Sequence, residues 1–362
     1  MDFQHNEDRQ ILTSSLDRLL ADRHGIETRN RVAFGPQGYS PELYAELAEL
    51  GVIGALFGED VGGFGGDGLD IMVVFEALGR GLSTEPFLGA VTVGAALETA
   101  RRTDVLEGLI AGSSIITFAH DEAEGALGTT RAERVGEQFR LTGRKAVVPH
   151  AEAADQFLVS AEVEGDGPQL FLVPASAAGV RVIGYATIDG GRSGDVVLEN
   201  VLVDAQARLD GEGIDLIGQA LAAGRLALAA EALGVMERIR EDTVSYLQTR
   251  VQFGVPIGKF QALQHRMATL LVEIEQARSA VINAALGFRG PALERDRAVS
   301  AAKYTTGRVG TFVAEEAIQM HGGIGMTWEL AMPHYAKRLI MLDHRLGDED
   351  WQLQRYITLG RV

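Results

Sequence analysis

There is no cysteine among the 362 residues, and that absence removes disulfide scaffolds, iron–sulfur clusters and thiolate zinc sites together. Basic residues are also in short supply. Against 50 Asp and Glu stand 33 Lys and Arg, a formal charge of −17. No basic run interleaved with aromatics occurs, which argues against a nucleic-acid partner. The eight histidines are scattered and mark no metal site. The longest apolar run, LIGQALAAGRLALAAEALGV, is interrupted by Arg225 and Glu231, so it makes a poor membrane span and reads as a buried helix. The N-terminus, MDFQHNEDRQILTSSLDRLL, is acidic and amphipathic without the charged-then-apolar order of a secretory signal. Together these point to the cytoplasm.

What is present is a globular composition, 46% hydrophobic and 23% charged, on a chain longer than one core usually supports. Three textures follow one another. Over 1–113, apolar residues recur at helical spacing (Leu16, Leu19, Leu20; Leu43, Leu47, Leu50; Val73, Phe75, Leu78), which predicts an all-helical domain. Its glycine-rich break, GEDVGGFGGDG at 58–68, has no preceding strand and no following lysine, so it reads as a long turn, not a phosphate loop. Over 114–210, short segments rich in Val, Ile and Thr (SSIITFAH, KAVVPH, QFLVSAEV, QLFLVPA, GDVVLENVLV) alternate with Gly, Asp and Pro, the grammar of a small antiparallel barrel or sandwich. Over 211–362 longer helices return, from Ile214 to Arg250 and from about Arg297 to Met320, and predict a four-helix-type bundle. The fold class is α+β.

Chemistry concentrates at two places in the last region. In QMHGGIGMTWE (319–329) a helix ends at Met320, Gly322 and Gly323 are suited to its C-cap, and Thr327 is placed to cap a new helix. Free N–H groups beside a wall without side chains suit a phosphate; a bland helix–turn–helix corner fits equally. In TRVQFGVPIGKFQALQHRMA (249–268), Arg250 sits at a helix end, Phe253 and Gly254 in a turn, and Gln261, Gln264 and His265 on the next helix. A guanidinium, a ring and amides are what the phosphates and adenine of a dinucleotide require. Arg225 and Arg250 are 25 positions apart, about seven turns and roughly 37 Å on one helix, so they cannot serve one small site.

The two motifs together resemble the C-terminal signature of the acyl-CoA dehydrogenases, and the helical, β, helical order resembles that family over the whole chain. YSPELYAELAELGVIGALFGEDVGGFGG, EALGRGLSTEPFLG and HYAKRL resemble most the small subunit of heteromeric bacterial dehydrogenases acting on pimeloyl-CoA and related CoA esters. The resemblance implies an FAD enzyme of fatty-acid or steroid side-chain β-oxidation. It removes two hydrogens from the α and β carbons of an acyl-CoA and passes electrons to an electron-transfer flavoprotein. It further implies a tetramer, of this chain or with a second subunit type, in which one chain's β domain holds the flavin ring. The neighbour's Arg250, Phe253, Phe260, Gln261, Gln319, Gly322 and Gly323 then hold the ADP end. Arg225 matches a position beside the acyl-CoA pocket, and Asp348 in LGDEDWQLQRY matches the catalytic carboxylate.

Two departures bear on this. The family's TEP…GSD segment and the Trp and Thr after its GxK turn are replaced by FAHDEAEGALGTTRAE, where Asp121 and Glu122 stand in, and by GRKAVVPH, with Val147 and Pro149. At the alternative base position stands Gly224, which cannot act, and an acidic residue near a C-terminus such as Asp348 can equally be a helix cap. Three readings follow: a partner subunit, a self-sufficient dehydrogenase, or a flavin monooxygenase of the same fold. An intact ADP motif beside an altered ring motif favours the first, and an acid at the base position argues against the third.

Overall fold

The computed structural model describes residues 6–123 and 128–361. Its first part is helical: α1 (Glu7–Arg23), α2 (Ile26–Ala33), α3 (Pro41–Glu49), α4 (Gly68–Arg80), α5 (Phe87–Thr99) and α6 (Thr103–Ile110). Local chemistry sets the starts. Ser40 caps α3, accepting from Leu43 N–H with Pro41 in the first turn, where the missing N–H of proline costs nothing. Asp67 and Asp70 form a reciprocal capping box at α4, and Arg9 on α1 pairs with both. The glycine-rich stretch before α4 is a turn containing a short 3₁₀ segment, Glu59–Val61.

Strands β1 (Ile116–Ala119), β2 (Arg131–Val135), β3 (Gln138–Pro149), β4 (Gln156–Val163), β5 (Gly167–Pro174), β6 (Val180–Ala186) and β7 (Arg192–Asp204) form one sheet. Its order is β1-β4-β2-β3-β7-β6, with β5 also on β4. The antiparallel expectation holds for β2/β3, β3/β7, β4/β5 and β6/β7. It fails at β4, which runs parallel to both β1 and β2, because the β2–β3 hairpin intervenes and supplies the long crossover that parallel pairing needs. Phe139 and Phe171 meet edge-on at 5.1 Å in a core with Leu141, Phe157, Val196 and Val201.

Helix α7 (Gly213–Thr249) is followed by a hairpin of β8 (Val251–Gln252) and β9 (Val255–Pro256), then α8 (Gln261–Leu286), α9 (Ala292–His321), α10 (Met332–His344) and α11 (Glu349–Leu359). α7 is enclosed along its middle: Ala220, Ala223, Leu226 through Ala230, Leu233 and Met236 are fully buried. It is long and apolar enough to cross a membrane, but 78% of its most apolar window is buried, as in a core helix.

The chain divides into two compact units. One comprises Thr28–Gly66 and Thr84–Gly224, the other Met1–Glu27, Asp67–Ser83 and Arg225–Val362. In the second, glycines let helices touch backbone to backbone. A Cβ on Gly79 would lie 2.2 Å from Glu231 O, and one on Gly234 1.9 Å from Glu76 O, so α4 lies directly on α7. This is how α4 joins the C-terminal bundle.

Candidate functional site

The dinucleotide motif of the sequence is a turn-rich surface at one end of the helical unit. α7 stops at Thr249, and Arg250 starts the hairpin whose tip is Phe253 (φ 53°) and Gly254 (φ 78°). Two successive positive φ values are what a two-residue hairpin of the primed type demands. Phe253 supplies one without being glycine, and it holds its ring 92% exposed. Phe260, which precedes α8, meets that ring edge-on at 6.1 Å. Gln261 opens α8, and Gln264 Nε2 donates to Gly258 O at 3.0 Å, bracing the loop.

α9 ends at His321, and Gly322 (φ 68°) caps it by donating its N–H to Ile318 O. A 3₁₀ turn, Gly322–Met326, follows at once. The three glycines answer to different constraints. Gly322 is required by its dihedral. Gly325 is buried, and a Cβ there would sit 3.0 Å from His321 Cβ and 3.1 Å from Ile318 O. Around Gly323 a Cβ would meet nothing within 4 Å. Neither its dihedral nor packing against the described residues explains Gly323. Thr327 does not cap a new helix: it closes the 3₁₀ turn, its Oγ1 donating to Ile324 O at 2.9 Å, and α10 starts five residues later. The residues after Thr327 form a bend up to Ala331 and not a first helical turn, so no helical N–H is presented to its hydroxyl.

The two motifs, some seventy residues apart, are tied together. Tyr246 on α7 stacks on His321 at 4.4 Å, and Arg266 on α8 pairs with Glu316 on α9 at 3.2 Å. Arg250, Phe253, Phe260, Gln261, Gln319, Gly322 and Gly323 are all exposed. The side chains of Arg250, Gln261 and Gln319 make no hydrogen bond or ion pair among the described residues. An uncommitted guanidinium, two uncommitted amides, two exposed rings and a glycine backbone open on its outer side fit the donor set and close approach that an ADP moiety needs.

Arg225 and Asp348 lie elsewhere in the same unit. Arg225 is 5% exposed; its Nε donates to Leu346 O at 2.9 Å, and its guanidinium stacks at 4.7 Å on Trp351. The turn it grips is strained, with Leu346 at φ 54° and Gly347 at φ 95°. Two further donors hold that turn. Gln352 Nε2 binds Leu346 O at 2.9 Å, and the buried Lys303 binds Asp343 O at 2.8 Å and Gly347 O at 3.3 Å. Burial pushes the Lys303 ammonium down to about 8, Arg225 adding to the fall and Asp343 and Asp348 opposing it. Burial pushes the Asp343 carboxyl up, against the pull of Lys303. Asp348 is the N-cap of α11: its Oδ1 accepts from Trp351 N–H at 2.9 Å, and its side chain is exposed. Lys303 carried no sequence signal beyond a charge on a buried helix face.

The β unit contains the segments that replace the family's flavin wall. Glu122 and Lys145 form a buried ion pair of 2.8 Å, their side chains 1% and 2% exposed. Lys145 Nζ also donates to His120 O and Ser160 Oγ. Glu122 accepts from Thr129 N–H, Thr129 Oγ1 and Thr130 N–H. Burial alone would raise the Glu122 carboxyl, but Lys145 and the threonines outweigh it and hold it at about 2; burial lowers the Lys145 ammonium against the pull of Glu122. Asp121 O accepts from Ala146 N–H at 2.8 Å. Next to it β3 bulges, its register against β7 shifting between Lys145 and Val148. Val147 sits in the bulge with φ 53°, an outlier for a β-branched residue, its N–H held by Asp195 Oδ1. Of the segment FAHDEAEGALGTTRAE, positions 124–127 lie outside the described residues.

The chain belongs to the acyl-CoA dehydrogenase family. The family's N-terminal domain matches residues 8–102 and its C-terminal domain residues 211–355. The acyl-CoA dehydrogenase FadE27 of Mycobacterium tuberculosis is 30% identical over 98% of this chain and 97% of its own length. IpdE2 of Mycolicibacterium smegmatis, also an acyl-CoA dehydrogenase, is 31% identical over 97% and 98%. Among solved structures, the ChsE4–ChsE5 complex of M. tuberculosis superposes with a TM-score of 0.91 at 30% identity, covering 100% of this chain and 98% of that one. The order of helical, β and helical regions is that of the family's fold.

Proposed function

We propose that this chain is one subunit type of a heteromeric, FAD-dependent acyl-CoA dehydrogenase. The observation that carries this reading is a contrast within the helical unit. The ADP-type set is exposed and uncommitted, while the one acidic residue at the base position is engaged as a helix cap. The likeness to one chain of the ChsE4–ChsE5 complex supports it.

In this reading Arg250 holds the pyrophosphate by charge-assisted hydrogen bonds, the Gly322–Gly323 backbone approaches the same phosphates, and Gln261, Gln319, Phe253 and Phe260 orient the rest of the ADP half. Bound FAD supplies the acceptor for the hydride that leaves the β carbon. The α proton must go to a positioned carboxylate. Asp348 Oδ1 already accepts the Trp351 N–H, so we assign the proton transfer to the companion subunit and a clamping role to Arg225. A self-sufficient dehydrogenase is the second reading, favoured by the exposure of Asp348, whose Oδ2 takes no part in the cap.

The substrate class we propose is a bulky acyl-CoA, because a Tcur3481–Tcur3483 steroid acyl-CoA dehydrogenase superposes with a TM-score of 0.90 at 30% identity; an electron-transfer flavoprotein would accept the electrons. Co-expression with a second acyl-CoA dehydrogenase-type chain, followed by subunit and flavin stoichiometry, tests the assignment. A mixed oligomer carrying flavin supports it. A flavin-replete oligomer of this chain alone contradicts it.

A further inference from the structure

The dinucleotide site is made of two segments that meet at one point inside the chain: Tyr246, just before the first motif, and His321, a residue of the second with no role assigned from sequence. Tyr246 lies one helical turn before Arg250 on α7; His321 is the residue immediately before Gly322. Their rings lie nearly parallel, 4.4 Å apart with 21° between planes, and the Tyr246 hydroxyl donates to His321 O at 3.3 Å. His321 is 6% exposed, and its Nδ1 is bonded to Ala317 O at 2.8 Å. On its other side the 3₁₀ turn folds back over it, and a Cβ at Gly325 would press on His321 Cβ at 3.0 Å.

We infer that Tyr246 and His321 are positioning residues for the ADP end of the cofactor. His321, held between the Tyr246 ring and Gly325, is the pedestal on which the glycine turn rests, and Tyr246 fixes that pedestal relative to Arg250. This rests on the FAD reading above. Binding energy at such a site depends on phosphate donors from both segments being in place together, so loosening the joint lowers affinity without removing any contacting group. Burial pushes the His321 imidazolium down, in keeping with a neutral ring used for stacking and for one hydrogen bond.

The test is FAD titration, followed by flavin fluorescence, into the flavin-free mixed oligomer of this chain with its companion subunit. Tyr246→Leu is expected to raise the FAD dissociation constant about tenfold, and Tyr246→Phe, which keeps the ring, to stay within about threefold of the parent. Gly325→Ala, which pushes on His321 and keeps the Tyr246 side chain, is expected to behave like Tyr246→Leu and carries the test if that variant fails to fold. A purely structural role would lower the melting temperature of the flavin-free protein and leave the dissociation constant unchanged. Arg250→Ala is the reference. If it weakens FAD binding while folded Tyr246→Leu and Gly325→Ala bind like the parent, the positioning role is overturned. If Arg250→Ala also binds like the parent, the FAD reading itself fails.

Discussion

Replacing Lys145 by methionine removes the cation from a carboxylate that is almost completely enclosed, and the cost follows from what remains. Glu122 keeps its bonds from Thr129 and Thr130 but loses Lys145 Nζ at 2.8 Å. His120 O and Ser160 Oγ lose the same donor. Removing one member of a buried pair typically costs about 3 to 5 kcal/mol, and we place this variant at the lower end because three donors survive. The pH dependence separates this from a packing effect. In the parent, Glu122 falls from an ordinary carboxyl value to about 2 on folding. Its contribution, of order 3 kcal/mol, is therefore present above about pH 4.5 and disappears as pH falls toward 2. Without Lys145, burial dominates and the carboxyl rises, so the variant regains stability relative to the parent as Glu122 takes up a proton. Urea denaturation at pH 7 and pH 4.5 measures both terms: the deficit should be largest at pH 7 and shrink at pH 4.5. A deficit below about 1 kcal/mol, or one that does not change with pH, would falsify the account of this pair.

Other outcomes follow from the same structure. Arg250→Ala should weaken FAD binding by about 1.5 to 3 kcal/mol, and Arg250→Lys should not restore it fully, because an ammonium cannot reproduce a bidentate fork; titration of flavin-free protein measures both. Gly323→Val should release FAD yet leave helical content by circular dichroism nearly unchanged, since among the described residues nothing lies within 4 Å of a Cβ there. Asp348→Ala should lose a helix cap worth about 1 kcal/mol while Asp348→Asn keeps it, a difference read by thermal melting.

Much of the fold was legible because it is written in local patterns. The run from Ile214 to Arg250 predicted α7 closely, and Arg250 fell at the helix end and Phe253 and Gly254 in the turn expected of them, though the β-hairpin that forms this turn was not foreseen. Gly322 fell at the predicted helix end because its dihedral is a local demand. What escaped was non-local. Thr327 had the right residue type for a cap, but the chain bends on to Ala331 before α10 begins at Met332. Arg225 read as a buried arginine in need of a partner, yet the partner, Leu346 O, lies 121 residues along the chain. Lys145 and Lys303 sat in strand and helix patterns as single charges; only the packed chain brings Glu122 to one and the carbonyls of Asp343 and Gly347 to the other. The parallel pairing of β4 likewise depends on which strands the hairpin separates, and alternation of residues carries no sign of direction.

Which chain supplies the base is read directly by anaerobic reduction with a saturated acyl-CoA. Asp348→Asn is the right perturbation, since asparagine caps a helix as well as aspartate but has no useful basicity. In a mixed oligomer of this chain with its companion subunit, flavin bleaching should proceed in the variant at nearly the parental rate. If instead this chain alone binds flavin stoichiometrically and bleaches, and Asp348→Asn slows that bleaching by about 10²-fold or more, then Asp348 is the catalytic base and the companion-subunit assignment is wrong.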